Sequence, residues 1–274
     1  MKTLFEAILK HTGAQAPALL KHLAAADIES WADLTKSNLN DLRDSVMESV
    51  SASSARTYFA VLKSVIARYE DDVDLPCRTF REILKAKNEK PLKTYLNIEE
   101  LRRLEAVEPH GPVEELVKYQ FLIGAHTGMR ISDIRRADEA NLGHGNLTYV
   151  SVKTGIKASI PCGDRLKGWL EAVSMNEEHP SLVAYNNAIR RLCRRAGINE
   201  TVKVYKGGKT LTGEKWEFVS SHTARISFAT NLADCNVPVL SISRLCGHSS
   251  IQMTERYIVS KNVQLNDKAM LFLA

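Results

Sequence analysis

The chain has 274 residues, 44% hydrophobic and 25% charged, with a net charge of +5. That length holds one large domain or two ordinary ones, and the composition is that of a folded globular protein. No run of about 18 apolar residues is present, so no membrane span is expected.

The amino terminus, Met1-Lys2-Thr3-Leu4-Phe5-Glu6, lacks the apolar core of a secretory signal. The cysteines, Cys77, Cys162, Cys193, Cys235 and Cys246, are odd in number and never spaced C-x-x-C. Reduced thiols in a cytoplasmic setting are expected, with no zinc or redox motif.

Residues 1 to about 88 read as helices alone. Phe5, Ile8 and Leu9 have helical spacing, followed by Leu19, Leu20 and Leu23. Thr35 can cap a helix carrying Leu39, Leu42 and Val46, and Ser53 or Ser54 can cap the next, with Ala55, Phe59, Leu62, Ile66 and Tyr69 on its apolar face. Arg56 and Lys63 lie on its other side, where they can reach DNA phosphates or simply face solvent. The acidic run Glu70-Asp71-Asp72-Val73-Asp74 is consecutive and has no histidine nearby, so it reads as a solvated loop rather than a metal site.

The polar stretch from Asn88 to Leu96, with Pro91, looks like a linker. This divides the chain into a helical domain at 1–88, a linker at 89–96 and a second domain at 97–274. Asn97 and Glu100 form an approximate capping box ahead of Leu101 and Leu104. An apolar helix follows, with Leu116, Val117, Phe121 and Ile123, and leads to Gly128 and Arg130. The alternating run Leu147 to Val152, the turn Lys153-Thr154-Gly155 and the run Lys157 to Pro161 predict a β-hairpin with Lys153 near its tip.

Helices are expected at Asp164–Val173 and Asn186–Ala196, with Gly197 as the stop. Val202–Val219 suggests a second hairpin or a long loop. Three helices should close the chain: Ala224–Ala233, one started by Pro238, and one over Ile251–Val259 carrying Tyr257. The expected fold class is mainly α with small β-hairpins.

Between Tyr185 and Lys215 stand eight basic residues, Arg190, Arg191, Arg194 and Arg195 among them, against Glu200 and Glu214. Such clustering fits a polyanion, or a solvated helix face. Gly208-Lys209-Thr210 ends like a phosphate-binding P-loop, but the first glycine of that motif is replaced by Lys203, so a basic turn is the reading.

Four side chains, His222, Arg225, His248 and Tyr257, are not obvious core choices, and two further pieces, Arg130 and Lys153, lie upstream of them. His222 and Arg225, three apart, share a helix face. Singly, each has an ordinary reading as a cap, a surface group or a half-buried aromatic. In this order they suit phosphoryl transfer to tyrosine.

When a phenol attacks a DNA phosphodiester, charge builds on two non-bridging oxygens. Each guanidinium can answer with two parallel hydrogen bonds. Arg130 and Arg225 fit that role, His222 and His248 can each add a donor, and Lys153 can protonate the leaving 5′-oxygen. Phenols ordinarily ionise near pH 10, so positive surroundings must help Tyr257. Asp133, one turn beyond Arg130, is expected to accept from the guanidinium and hold it. The covalent link keeps the ester's energy, so rejoining needs no ATP. Nothing in the scheme calls for a metal or another cofactor.

Arg130, Lys153, His222-x-x-Arg225, Gly247-His248 and Tyr257 resemble the tyrosine recombinases of the phage integrase family, over roughly residues 97–258. The resemblance implies a helical core-binding domain and a mixed α/β catalytic domain closing as a clamp on double-stranded DNA. It also implies site-specific strand exchange through a 3′-phosphotyrosyl link and a Holliday junction, with four protomers on two sites and room for accessory DNA-bending proteins. His222 and His248 align with the second and third motif positions of the family, and Asp133 with a common acidic position.

Ile226, Cys246 and Ile258 depart from frequent family residues without touching the chemistry. Fewer than 100 residues precede the linker, so no further arm-binding domain is expected. In the family the last helix docks on a neighbouring protomer, and Leu265, Met270, Leu271 and Phe272 are the candidates for that contact, against packing on their own subunit.

The expected location is the cytoplasm, on the nucleoid. Integration, excision, inversion and dimer resolution all remain open, for a phage, another mobile element or a chromosome. Arg56, Lys63, Arg190 and Arg194 are the candidates for DNA contact. Two other functions stand as alternatives: supercoil relaxation of the type IB topoisomerase kind, which uses nearly the same residues, and DNA binding without catalysis, against which the intact set argues.

Overall fold

Helix formation begins with a reciprocal cap. The Thr3 hydroxyl accepts from the Glu6 N–H, and the Glu6 carboxylate accepts from the Thr3 N–H. The computed structural model describes residues 2–13, 16–86, 93–137, 141–176, 178–206 and 209–259. The chain folds as two compact units, Met1–Pro91 with Tyr205–Leu211, and Leu92–Val204 with Thr212–Ala274.

The first unit holds helices α1 (Leu4–His11), α2 (Ala16–Ala25), α3 (Lys36–Ser49), α4 (Ala52–Tyr69) and α5 (Phe80–Ile83). Leu4, Ile8, Leu19, Leu23, Leu39, Leu42, Phe59, Leu62, Ile66 and Phe80 form one buried core. Thr35 caps α3 as its position predicts. The cap of α4 is Ser51, whose hydroxyl accepts from the Ser54 N–H; Ser53 and Ser54 lie inside the first turn instead. In the acidic run, Glu70 pairs with Arg81 at 2.9 Å and Val73 is buried.

The second unit holds α6 (Ile98–Ala106), α7 (Pro112–Thr127), α8 (Ile131–Ile134), α9 (Asp164–Ser174), α10 (Leu182–Arg195), α11 (Ser221–Asp234), α12 (Val239–Leu245) and α13 (Ile251–Glu255). Asn97 and Glu100 make the predicted capping box of α6. Helix α7 is the spine. Pro112 starts it, almost every side chain from Leu116 to Thr127 is buried, and α9, α10 and α11 pack around it. Its core joins Phe121, Leu122 and Ile123 to Leu166, Trp169, Ile189, Leu192 and Ala224.

Strands β1 (Leu142–Gly143), β2 (Asn146–Val150) and β3 (Lys157–Pro161) form an antiparallel sheet in the order β1-β2-β3, with Tyr149 opposite Ala158. Strands β4 (Thr201–Lys206) and β5 (Lys209–Glu214) form a second, two-stranded sheet. The fold is therefore mainly α with small antiparallel sheets, as expected.

Three helix limits differ most from the sequence reading, the first being α11, which starts at Ser221, three residues ahead of the expected Ala224, and so takes in His222. Helix α10 starts four residues early, because the Ser181 hydroxyl accepts from the Ala184 N–H and caps it there. Helix α13 stops at Glu255, so Tyr257 lies in the turn beyond it rather than inside a helix. Among the described residues, no helix is long and apolar enough to cross a membrane.

Candidate active site

Arg130 is placed by the abrupt end of α7. Gly128 closes that helix at φ +69°, a conformation that glycine adopts without strain. Its lack of a side chain also matters, since a Cβ there would lie 2.6 Å from Phe228 Cδ1. Met129 is buried, and Arg130 leaves in extended conformation as the residue ahead of α8.

The Arg130 guanidinium does not bond Asp133 directly, as the sequence reading expected. Arg130 Nη1 donates to Ser151 Oγ at 2.8 Å, and Ser151 Oγ donates to Asp133 Oδ2 at 3.2 Å. Asp133 Oδ1 accepts from the Val152 N–H at 2.9 Å. The carboxylate thus anchors the base of the β2–β3 turn, and a buried serine relays its hold to the arginine. Ser151 was missed, although there was a signal for it. Leu147 and Tyr149 face inward on β2, and the next inward position is this serine. Lys153 sits in the same turn, exposed, between Ser151 and Gly155 at φ +67°.

Helix α11 supplies two more groups. Arg225 is 1% exposed, the largest fully buried side chain of the described residues. Its Nη1 donates to the Gly128 carbonyl, and its Nη2 donates to the Cys246 carbonyl at 2.7 Å. These are the carbonyls at the ends of α7 and α12, where helix dipoles leave partial negative charge. One turn earlier on α11 is His222, at 5.1 Å from the Tyr257 ring, centroid to centroid.

After α12, Gly247 turns the chain at φ +60°, and His248 follows, 8% exposed. His248 Nδ1 bonds Thr254 Oγ1 at 2.8 Å, and its ring lies 4.9 Å from that of Tyr257. The tautomer in which Thr254 donates to Nδ1 leaves Nε2–H as a donor. Within the site, two buried nitrogens, Arg225 Nε and His248 Nε2, have no hydrogen-bond partner among the described residues, although the buried Tyr149 hydroxyl adjoins Arg225.

Tyr257 is fastened at its backbone. Its N–H donates to the Thr254 carbonyl at 2.8 Å, and its own carbonyl accepts from Thr230 Oγ1 of α11 at 3.1 Å. Arg225 Cζ lies 5.5 Å from the centre of the Tyr257 ring. A second cation, Lys93 Nζ, lies 5.2 Å from that centre and was not foreseen, because the linker around it carries no motif.

The structure thus gathers His222, Arg225, His248 and Tyr257 around one point. Arg130 bears on it by its charge, and Lys153 stands on the neighbouring hairpin. Protein bulk and positive charge hold both histidines neutral at ordinary pH. His248 is pushed down to about 3 by burial, then by Arg225, Arg130 and His222. His222, open to solvent at one edge, is pushed down to about 4 by the protein around it, then by Lys93, Arg225, Arg130 and Lys153. Among the described residues the site is a cluster of cations whose carboxylate neighbour is Asp133, which Ser151 and Val152 occupy.

The model of the phage integrase family matches residues 94–263, which include every one of these groups except Lys93. The chain belongs to the phage integrase family. It is 26% identical over 188 residues to the tyrosine recombinase XerD of Oceanobacillus iheyensis, covering 66% of this chain and 62% of that protein. To the tyrosine recombinase XerC of Haemophilus influenzae it is 21% identical over 254 residues, with 89% and 83% covered. The chain spans about three fifths of the XerD and XerA relatives it matches, 62% and 58% of their lengths.

The fold of this phage integrase family chain is similar to that of lambda integrase residues 75–356 bound to DNA, with a TM-score of 0.67 at 15% identity and 97% and 99% of the two chains covered. It is equally similar to the Tn1549 transposon integrase with a circular-intermediate DNA, with a TM-score of 0.68 at 15% identity over all of both chains.

The predicted DNA-contact residues of this integrase-family chain fare unevenly. Arg56 is exposed on α4 and Lys63 is half-buried there. Arg190 Nε donates to the Val219 carbonyl just ahead of α11, and Arg194 lies 5.4 Å over the Trp216 ring. Much of the basic cluster is neutralised within the fold. Glu114, 4% exposed, binds Arg191 at 2.9 Å and Arg195 at 2.5 Å, and Lys215 is buried against Glu100 at 2.8 Å. Leu265, Met270, Leu271 and Phe272, the candidates for protomer contact, lie outside the described residues.

Proposed function

We propose that this protein is a site-specific DNA recombinase that cleaves and rejoins strands through a tyrosine ester. One observation carries the reading. The Tyr257 ring lies beside Arg225, His222 and His248, where His248 Nε2, as the donor its Thr254 bond favours, is buried and lacks a partner among the described residues. Unpaired buried donors are costly, and a phosphate oxygen is the acceptor that a cationic cluster selects.

In the proposed step, Tyr257 Oη bonds phosphorus and the bond from phosphorus to the 5′-oxygen breaks. Lys153 gives that oxygen a proton, and the 3′-phosphotyrosyl ester remains. Arg130, Arg225 and the histidines stabilise charge on the non-bridging oxygens. Rejoining reverses the step with a new 5′-hydroxyl, and two rounds pass through a Holliday junction. No residue here is asked to hold a metal.

Residues 1–88 serve as the core-binding domain and 97–274 as the catalytic domain, joined at 89–96. Arg56 and Lys63 contact DNA from the first, and Arg190 and Arg194 from the second. Four copies act together, coupled by Leu265, Met270, Leu271 and Phe272. Lambda integrase has been seen as a tetramer on a Holliday junction, which supports this reading.

A nicked suicide substrate carrying the target site, found by footprinting DNA beside the gene, tests the chemistry. Wild type should become covalently attached and Tyr257→Phe should not. Attachment that persists in Tyr257→Phe, or supercoil relaxation without site preference, would overturn it. A chain ended after Val263 should lose cooperative assembly on DNA while still attaching; unchanged cooperativity would remove the role of the tail.

A further inference from the structure

Residues 93–96 are not a loose tether. The Leu96 N–H donates to Ser227 Oγ at 2.8 Å, and the Leu96 carbonyl accepts from Asn231 Nδ2 at 3.0 Å. Tyr95 Oη donates to Asp234 Oδ2 at 3.3 Å. All three partners lie on α11, the helix of His222 and Arg225. From this strapped segment Lys93 reaches across to the turn after α13, where its Nζ donates to the Arg256 carbonyl at 2.7 Å and lies 5.2 Å from the centre of the Tyr257 ring.

We propose that Lys93 is a positioning residue for Tyr257, a latch that holds the nucleophile's turn in its attacking pose and sets a cation beside the phenol.

The geometry explains why a latch is needed. Helix α13 has five residues and ends before the tyrosine, so helical hydrogen bonding does not fix the phenol. Beyond the Tyr257 and Ile258 N–H bonds to the Thr254 carbonyl, the turn is held at two successive carbonyls. Lys93 takes that of Arg256, and Thr230 takes that of Tyr257. Thr230 Oγ1 also accepts from the Val259 N–H at 3.2 Å. Both holds trace back to α11, so the phenol is referenced to the helix that carries His222 and Arg225. Lys93 is half-buried, and its ammonium is easier to deprotonate than usual, first because of burial and then because of Arg256. A cation in such surroundings acts more strongly on a neighbouring ring and a developing phenolate than one in water. Lys93 is also the first described residue of the second unit, so the latch starts where the chain enters that unit.

The proposal rests on Tyr257 being the nucleophile, and the test separates the two ideas. Wild type and Tyr257→Phe on the nicked substrate decide the nucleophile first. Lys93→Met, which keeps length and apolar stem, should then attach about tenfold or more slowly at saturating DNA, with little change in DNA affinity. Lys93→Arg, which keeps charge and donor, should recover most of the rate. A substrate with a bridging 5′-thiol, a better leaving group, should rescue Lys153→Ala and leave Lys93→Met slow, because Lys93 acts on the attacking side.

A second measurement needs no DNA. Amide hydrogen exchange at residues 255–259 should quicken in Lys93→Met and return toward wild type in Lys93→Arg. The latch is overturned if Lys93→Met attaches at the wild-type rate, if the thiol rescues it, if its loss lies in DNA affinity alone, or if exchange in the tyrosine turn is unchanged.

Discussion

Ser151 offers the sharpest test of how the first arginine is held. Ser151→Ala removes one hydroxyl that accepts from Arg130 at 2.8 Å and donates to Asp133 at 3.2 Å. Hydrogen bonds to charged groups contribute about 1.5–3 kcal/mol each. Water can replace the one at half-buried Arg130 but not the one at Asp133, which is 4% exposed and keeps the Val152 N–H. The expected loss of folding stability is therefore that of the one bond water cannot replace, about 1.5–3 kcal/mol, read from denaturant midpoints at unchanged slope.

The same change frees the Arg130 guanidinium to swing. An oxyanion donor supplies about 3 kcal/mol when well placed. Losing a third to two thirds of that slows covalent attachment by roughly 5- to 30-fold. A double-mutant cycle on the nicked substrate checks the route. In an Arg130→Ala background, Ser151→Ala should slow attachment little further. A full, additive loss in that background would show that the serine does not act through the arginine, and the relay would be wrong.

Other expectations follow from the same contacts. Gly128→Ala should destabilise by about 2–3 kcal/mol, since its φ is +69° and the new methyl meets Phe228; an unchanged melting temperature would contradict the geometry. His248 and His222 have folded pKa values of about 3 and about 4, below the unfolded value near 6.5. Between these limits the unfolded chain binds the protons, so stability should be full above pH 6.5 and fall as pH drops toward 3. His248→Gln should flatten that fall in a pH series of denaturation curves. A bound phosphate would raise both values, so DNA affinity should strengthen on acidification within the same window, with proton uptake measurable by calorimetry.

Glu114 is different. Burial works against its charge, but Arg195, the His110 N–H and Arg191 outweigh it and pull its pKa down to about 2. Its contribution is present above pH 4.5 and lost as pH falls toward 2. Because Arg191 is more than half exposed, Glu114→Gln should remove only about 2 kcal/mol of stability, with attachment rates intact once folded.

The parts of this site that could be read from the sequence are those whose side chains have no other business in a core. Arg130, Lys153, His222, Arg225, His248 and Tyr257 declare themselves by type and order. The supports could not be read, because each gets its meaning from a residue far along the chain. Ser151 meets Asp133, Lys93 meets Arg256, and Thr230 meets Tyr257. The hairpins and most helices followed from alternation and spacing. Helix limits slipped where several polar residues compete to cap, as at Ser51, Ser53 and Ser54, or where the first turn breaks the amphipathic pattern, as after Ser181, where Leu182 and Val183 face solvent. The early stop of α13 could not be seen either. The Thr254 carbonyl still accepts from the Tyr257 and Ile258 N–H groups, but the next carbonyls, of Arg256 and Tyr257, are taken by the distant side chains of Lys93 and Thr230.

The double hold on Tyr257 by Thr230 and by the Lys93 strap has a consequence for how copies divide the labour. In the proposed reaction, a phenol moored to the same polypeptide as Arg225, His222 and His248 would attack within its own protomer. Mixing two crippled proteins, one Tyr257→Phe and the other Arg225→Ala, should therefore yield no complementation, because neither can complete the other's set.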